Sequence, residues 1–144
     1  MNPPGFLLSS LYVAIGGGMG AWLRYLTGRA WMTAIGPVAA SAFPWATLTV
    51  NAAGSLAMGL LAGWLARHSA TTAFGIESLS GESWRLLLGV GVLGGYTTFS
   101  SFSLEIAGMI QRGALAQAAL YVAISLMAGV AGLFAGLALM RTTL

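Results

Sequence analysis

Four long apolar runs most strongly constrain what this chain can fold into. They cover residues 6–26, 45–65, 86–110 and 115–140, and each is nearly free of charged side chains. A helix needs about 20 mostly apolar residues to cross the hydrocarbon core of a bilayer. The chain has 144 residues, which is about the length of one domain. We therefore predict an all-α membrane protein with four transmembrane helices, folded as a single domain over residues 1–144.

Charged side chains are too scarce for a domain that folds in water. The chain carries six basic and three acidic residues, whereas about a quarter of the residues in soluble domains are charged. The six basic residues are arginines scattered singly along the chain, so they form no basic stripe that would bind nucleic acid. We predict a multi-pass plasma-membrane protein whose main surroundings are the lipid bilayer, with no nucleic-acid partner.

The arginines also bear on the orientation of the chain in the membrane. Four helices place both termini and the second connection on one side. The arginines then divide equally, with Arg67, Arg85 and Arg141 on that side and Arg24, Arg29 and Arg112 on the other. Because an arginine excess normally fixes the cytoplasmic side, this balance predicts insertion in both orientations and an antiparallel homodimer. The alternative is a single orientation. In that case Arg24, which lies inside the first helix, is wrongly counted with the arginines of one side.

The connections and the small residues predict how the helices are joined and packed. We predict surface loops for the first connection, which carries Gly28, Arg29, Gly36 and Pro37, and for the second, residues 67–83. The third, residues 111–113, is short enough for an antiparallel hairpin. Glycine and serine recur every three or four residues in three of the spans, which predicts close packing between helices of one chain. Representative positions are Gly16, Gly20, Ser55, Gly59, Gly63, Ser125, Gly129, Gly132 and Gly136.

The third span contains an unusual polar segment, GGYTTFSSFSLE, at residues 94–105. Paired glycines and paired threonines weaken a helix, which predicts a break near the centre of this span. The alternative is a continuous helix whose small residues serve packing. Non-helical backbone at membrane depth is tolerated only where protein or water surrounds it. Free carbonyls in such a break are suitable ligands for a hard cation such as Na⁺.

Aromatic rings and hydroxyls alternate in the second half of this segment. Phe99 and Phe102 are three residues apart and share a helix face, with Ser103 close to it. A phenyl ring is positive at its edge, so such rings attract an anion weakly, and neighbouring hydroxyls supply neutral donors. Two phenylalanines on one apolar face are otherwise ordinary core residues.

Other spans contribute polar groups at membrane depth. Asn51 either bridges two helices or belongs to a polar pathway with Tyr121 and Ser125, which lie one turn apart. Glu105 is the acid within a span, and three roles remain open: proton carrier, carboxylate near water, or acceptor of hydrogen bonds. From its position, the Arg24 side chain is expected to extend to the membrane interface. The alternative is that it adds positive potential at the entrance of an anion pathway.

Taken together, the sequence resembles the Fluc (CrcB) family of fluoride channels over nearly its whole length. The matching pieces are GAWLRY at 20–25, TLTVN at 47–51 followed by Gly54, and GGYTTFSSFSLE. The resemblance implies a bacterial inner-membrane, antiparallel dual-topology homodimer that passes fluoride passively through two pores and relieves its toxicity. Tyr96 and Gly129 depart from the family pattern. These departures affect the outer end of the polar pathway more than the break.

The resemblance also assigns roles to residues. It implies that a fluoride pathway is lined or supported by Asn51, Phe99, Phe102, Ser103, Tyr121 and Ser125. The backbone carbonyls of Gly94 and Thr97, from both copies, would hold one structural Na⁺ at the dimer centre. Glu105 would lie near one pore end and Arg24 near a vestibule.

Other classes of protein remain as alternatives. A small proton-coupled, dual-topology exporter of organic cations would use Glu105 as its central acid. A membrane anchor without transport would account for the glycine faces but not for the clustered hydroxyls. We do not expect an enzyme, because His68 has no carboxylates at metal-ligand spacing and no nucleophile or phosphate-binding motif is present.

Overall fold

The described part of the chain forms four helical spans. The computed structural model describes residues 5–68 and 81–142. The elements are α1 (Phe6–Ala42), α2 (Trp45–His68), α3 (Gly81–Trp84), a π-helical segment (Arg85–Leu93), α4 (Gly94–Tyr96), α5 (Phe99–Gln111) and α6 (Leu115–Thr142). Four stretches are long and apolar enough to cross a membrane: Phe6–Ala42, Trp45–Arg67, Gly81–Gln111 and Leu115–Thr142. The prediction of an all-α fold with four spans is confirmed.

The first helix is longer than predicted. It continues to Ala42, so the surface loop predicted around Gly28 and Arg29 is wrong. A single glycine within a helix costs only about 1 kcal/mol relative to alanine, which the surrounding helix-compatible residues tolerate. The chain leaves helical geometry at Gly36, where φ is 79° and ψ is 159°. Glycine adopts this positive φ without strain, and Pro37 then starts a new helical turn.

Contacts on both sides of the kink join α1 to the start of α2 and of α6. The Trp31 Nε1–H donates to Thr49 Oγ1 at 3.0 Å, and the Trp31 and Trp45 rings stack with their centroids 5.8 Å apart. The Gln117 side-chain amide donates to the Ala42 carbonyl at 2.6 Å. These contacts hold the end of α1 over one end of the bundle.

The third span is interrupted where the sequence predicted a break. Thr97 (φ −76°, ψ 159°) and Thr98 (φ −151°, ψ 118°) are extended between α4 and α5. The Thr98 Oγ1 caps α5 by accepting from the Ser101 N–H at 3.2 Å. The alternative of a continuous helix is therefore wrong.

This span also begins earlier than predicted, with one turn stabilised by an ion pair. Arg85 Nη2 lies 2.7 Å from Glu82 Oε1, three residues away on the same helix. The loop predicted before it falls largely on residues 69–80, which lie outside the described residues. At the other end, Gly113 adopts φ 75° and allows the short turn between α5 and α6.

Glycines set the distances between helices, as predicted. A Cβ at Gly16 or Gly20 would collide with backbone atoms of the third span around Gly91. In the same way, a Cβ at Gly59 would meet the backbone of α6, and one at Gly136 would meet the backbone of α2. The intramolecular packing role predicted for these glycines is confirmed.

Candidate functional site

An amide side chain from α2 bridges the break in the third span. Asn51 Nδ2 donates to the Thr98 carbonyl at 3.1 Å, and the Thr98 N–H donates to Asn51 Oδ1 at 2.8 Å. The side chain thus satisfies both backbone groups of a residue that has left the helix, as membrane depth requires. Asn51 therefore bridges two elements, and it also lines the cavities described next.

Two adjoining cavities lie beside this bridge. The first, which we call the hydroxyl cavity, has a volume of about 290 Å³ and is lined by Asn51, Ser55, Phe99, Phe102, Ser125, Leu126, Gly129, Val130 and Leu133. The second, the break cavity, also measures about 290 Å³ and is lined by Asn51, Gly54, Ser55, Met58, Thr97, Thr98, Phe99 and Leu133. Neither lining contains a charged side chain, so the polar atoms in both cavities are neutral.

Aromatic rings form one wall of the hydroxyl cavity. The Phe99 and Phe102 ring centroids lie 5.9 Å apart with their planes tilted by 44°, which confirms that both rings share one side of α5. Phe102 is buried and contacts the Tyr121 ring at 5.1 Å between centroids. Phe99 is 79% exposed in the single chain. Ser103 is exposed, donates to the Phe99 carbonyl at 2.9 Å and does not line either cavity.

A carboxylate with two hydroxyl partners follows one turn further along α5. Thr47 Oγ1 donates to Glu105 Oε1 at 2.6 Å, and the Tyr121 hydroxyl donates to Glu105 Oε2 at 2.7 Å. Tyr121 is fully buried and Thr47 nearly so. Among the roles left open for Glu105, the geometry shows that of an acceptor of hydrogen bonds.

A third cavity, the outer cavity, opens on the far side of this carboxylate. It measures about 310 Å³ and is lined by Tyr25, Gly28, Arg29, Trp31, Met32, Ala40, Pro44, Trp45, Ala46 and Glu105. Glu105 thus lies between the outer cavity and the polar groups inside the bundle.

The polar groups fall on two helical stripes. On α2 they are Thr47, Asn51 and Ser55, and on α6 they are Tyr121 and Ser125, each one turn apart. Thr47 has no role in the site predicted from the sequence, and Ser55 is predicted only to pack between helices. Their spacing of four residues on either side of Asn51 places all three on one helix face, and that spacing was the available signal.

Arg24 is directed at the break. Its Nη1 donates to the Thr97 carbonyl at 3.3 Å, so the expectation that this side chain extends to the interface is wrong. The guanidinium instead supplies a donor to a backbone carbonyl that has left the helical hydrogen-bond pattern.

The carbonyls of Gly94 and Thr97 have the character required of cation ligands. The Thr98 N–H, the normal helical partner of the Gly94 carbonyl, is used by Asn51. Within residues 5–68 and 81–142, no backbone N–H donates to the Thr97 carbonyl, which accepts only from Arg24. A carbonyl oxygen has two lone pairs, so both oxygens retain capacity for a hard cation. No group of three His, Cys, Asp or Glu side chains forms a metal site within the same described ranges.

Comparison with known proteins identifies the family. Residues 11–137 match the family model described as "CrcB-like protein, Camphor Resistance (CrcB)". A protein of Novosphingobium aromaticivorans is 55% identical over 135 residues, covering 94% of this chain and 98% of that relative. One from Erythrobacter litoralis is 51% identical over 140 residues (96% and 95%), and one from Caulobacter vibrioides is 50% identical over 131 residues (91% and 94%).

All three relatives bear the name "Fluoride-specific ion channel FluC". The name describes a channel and not an enzyme, and the relatives are bacterial. With four apolar spans, this chain is likewise a multi-pass membrane protein of a bacterial type and not an enzyme. The family model covers most of the chain, and half or more of the aligned residues are identical in these relatives, so the chain belongs to the CrcB family.

Proposed function

We propose that this protein is a passive, fluoride-selective channel that lets fluoride leave the cell and so relieves its toxicity. The observation that carries the proposal is the hydroxyl cavity, whose lining combines neutral donors and phenyl rings with aliphatic residues and contains no charged side chain. The names of the relatives support fluoride as the ion.

The chemistry of the lining suits a small, strongly hydrated anion. Fluoride gives up its water only where several short hydrogen bonds replace it, while a fixed positive charge in the lining would bind it too tightly to conduct. Asn51 and Ser125 offer neutral N–H and O–H donors, and Phe99 and Phe102 can offer ring edges. Tyr121 and Glu105 continue the polar groups toward the outer cavity.

A second copy of the chain completes the proposed channel. The equal division of arginines favours insertion in both orientations. Phe99 is 79% exposed although it forms part of the cavity lining, so a partner surface is needed to close that side. An antiparallel homodimer would contain two such pathways related by a twofold axis in the membrane plane.

A sodium ion is proposed at the centre of this dimer. One chain supplies two carbonyl oxygens, from Gly94 and Thr97, which is fewer than a hard cation normally takes. The same pair from the second copy would bring the number to four. The bound ion would supply a fixed positive charge that ties the two breaks together. Within one chain, Arg24 also donates to the Thr97 carbonyl.

The organic-cation exporter is not favoured. Such a transporter needs an acid that exchanges protons and cation in turn, whereas both oxygens of Glu105 accept hydrogen bonds from hydroxyls of the same chain. The names of the relatives give this alternative no support either.

Ion efflux from liposomes tests the proposal. Purified protein is reconstituted with potassium fluoride or chloride inside, and the external ion is followed with a selective electrode in the presence of valinomycin, with and without a proton uncoupler. We expect rapid fluoride loss that the uncoupler does not change, with chloride retained. Flux equal to protein-free liposomes would refute the channel, and flux that requires a proton gradient would support the exporter.

A matched pair of variants tests the pathway itself. Phe102→Ile alters the cavity wall, whereas Phe134→Ile alters a phenylalanine on α6 that is 64% exposed and outside the three cavities. We expect fluoride flux to fall at least about tenfold in the first variant and to stay near wild type in the second. Equal flux in both variants would show that fluoride does not pass through this cavity.

A further inference from the structure

The serine and threonine hydroxyls of the described spans follow a pattern with two exceptions. Serine and threonine in membrane helices normally satisfy their hydroxyl by donating to a carbonyl of the preceding turn. Ser10, Thr27 and Ser103 do so, at 2.8, 3.0 and 2.9 Å. Other described hydroxyls bond to a carbonyl of the preceding turn, as Ser41 does, or to a side chain, as Thr47 does to Glu105.

The exceptions are Ser55 and Ser125. Ser125 Oγ is buried and has no partner at hydrogen-bonding geometry among the described residues, although it lies close to the Tyr121 hydroxyl. Ser55 likewise makes no hydrogen bond with any described residue. Leaving a hydroxyl unpaired away from water costs about 1–3 kcal/mol, which a serine used only for packing would avoid if alanine replaced it.

Both unpaired hydroxyls belong to one cavity. Ser55 comes from α2 and Ser125 from α6, and both line the hydroxyl cavity. Gly129, one turn after Ser125, faces Ser55 across the seam, because a Cβ built at Gly129 would lie in ordinary contact with Ser55 Oγ, at 3.5 Å. The polar stripe of α6 therefore stops at Ser125, and the next hydroxyl along the cavity is supplied by α2.

The remaining polar side chain of this lining also has donor capacity. Asn51 uses one N–H on the Thr98 carbonyl, and an amide nitrogen carries two. Since no charged group lines the cavity, three neutral side chains can donate into the same space. A cavity of about 290 Å³ has room for a small anion and water.

We propose that Ser55 donates its hydroxyl directly to the permeating anion and forms, with Ser125, an anion subsite across the α2–α6 seam. The inference rests on the proposed channel function and adds a pore residue from α2 to it. The ligand is a small monovalent anion that accepts short hydrogen bonds, which here is fluoride. Neither hydroxyl needs to break an existing bond in order to donate.

The first test removes the Ser55 hydroxyl alone. Ser55→Ala keeps the size of the side chain close to that of serine, and Ser10→Ala is the matched control because the Ser10 hydroxyl is satisfied within its own helix. We expect fluoride efflux per reconstituted protein to fall at least about tenfold in Ser55→Ala and to remain at the wild-type rate in Ser10→Ala. Wild-type flux in Ser55→Ala would overturn the inference.

A rescue variant separates a chemical role from a structural one. In Ser55→Ala/Gly129→Ser, a hydroxyl is returned to the same place from α6, because position 129 faces position 55. We expect this double variant to recover most of the lost flux, whereas Ser55→Ala/Gly129→Ala should not. Recovery in neither, with normal thermal unfolding and dimer elution in detergent, would show that the Ser55 hydroxyl does not act on the anion.

The wild-type measurement distinguishes the two proposals. A wild-type protein that passes no fluoride would refute the channel function and the subsite with it. A conducting wild type with a conducting Ser55→Ala variant would refute the subsite alone.

Discussion

At the scale of single residues, Asn51 has the clearest physical role. It replaces two missing backbone hydrogen bonds of the break with two of its own. A bridging role for this residue was predictable from the sequence, because a lone asparagine in an apolar span must find a hydrogen-bond partner. The partner itself could not be predicted, since it is the backbone of a residue 47 positions away.

Asn51→Leu should destabilise the protein strongly. Leucine has a similar volume but leaves both the N–H and the carbonyl of Thr98 unpaired, at a cost of about 1–3 kcal/mol each. Thermal unfolding in detergent, followed by the loss of the dimer or monomer peak on chromatography, measures the effect. Asn51→Asp should fall between leucine and wild type, because it keeps the acceptor for the Thr98 N–H. Equal stability of all three proteins would contradict the bridge.

A second prediction at this scale concerns Glu105. In Glu105→Gln one carboxylate oxygen becomes an NH₂ group that faces a hydroxyl already bonded as a donor, either Thr47 or Tyr121. We expect a loss of about 1–3 kcal/mol in stability, with fluoride efflux still independent of a proton gradient. Thr47→Val, which removes one partner and keeps the carboxylate, is the control. Appearance or loss of proton coupling in Glu105→Gln would contradict the acceptor role.

At the scale of elements, prediction succeeded where a local cause acts and failed where tertiary contacts decide. The break before Phe99 was predictable because the glycines and threonines at that position weaken the helix themselves. The extension of α1 to Ala42 was not, because Gly28 only lowers helix stability slightly, and the contacts of Trp31 and Gln117 that hold the extension lie far along the chain.

The glycines of α1 provide a prediction with an internal control. Gly20→Ala places a methyl group against the backbone of Val92 and Tyr96, whereas Gly18→Ala on the same helix meets no atom within 4 Å. The first variant should lose about 1–3 kcal/mol or fail to assemble. The second should be unchanged or slightly more stable, because alanine favours a helix over glycine. Thermal unfolding of both variants in the same detergent decides, and a neutral Gly20→Ala would refute the close contact.

At the scale of the whole molecule, the four spans followed from length and hydropathy alone, because the thickness of the bilayer leaves few alternatives. The cavities did not, because they depend on which faces of α2, α5 and α6 meet. Insertion in both orientations stays a prediction. The absence of cysteine makes it simple to test, because one introduced cysteine is then the unique labelling site.

A cysteine appended after Leu144 should be labelled by an impermeant reagent in about half of the copies in intact cells or sealed vesicles. Two lysines added at the same end would change the balance from three against three to five against three. We expect that change to bias orientation toward a cytoplasmic C-terminus and to reduce fluoride efflux, because antiparallel pairs become rare. Labelling of all or none of the unmodified copies would refute dual insertion.

The Asn51 bridge has a consequence for how the protein is made. The ribosome completes α2 before residue 98 is synthesised, and a separation of 47 residues takes about 2–10 seconds at the usual rate of synthesis. Asn51 is therefore synthesised before the unpaired backbone of Thr98 leaves the ribosome, and it is available as a partner. A circularly permuted gene that encodes the third span ahead of α2 would reverse this order and expose the break to lipid during insertion. The linear order of the spans in the gene is thus part of what makes a broken helix tolerable.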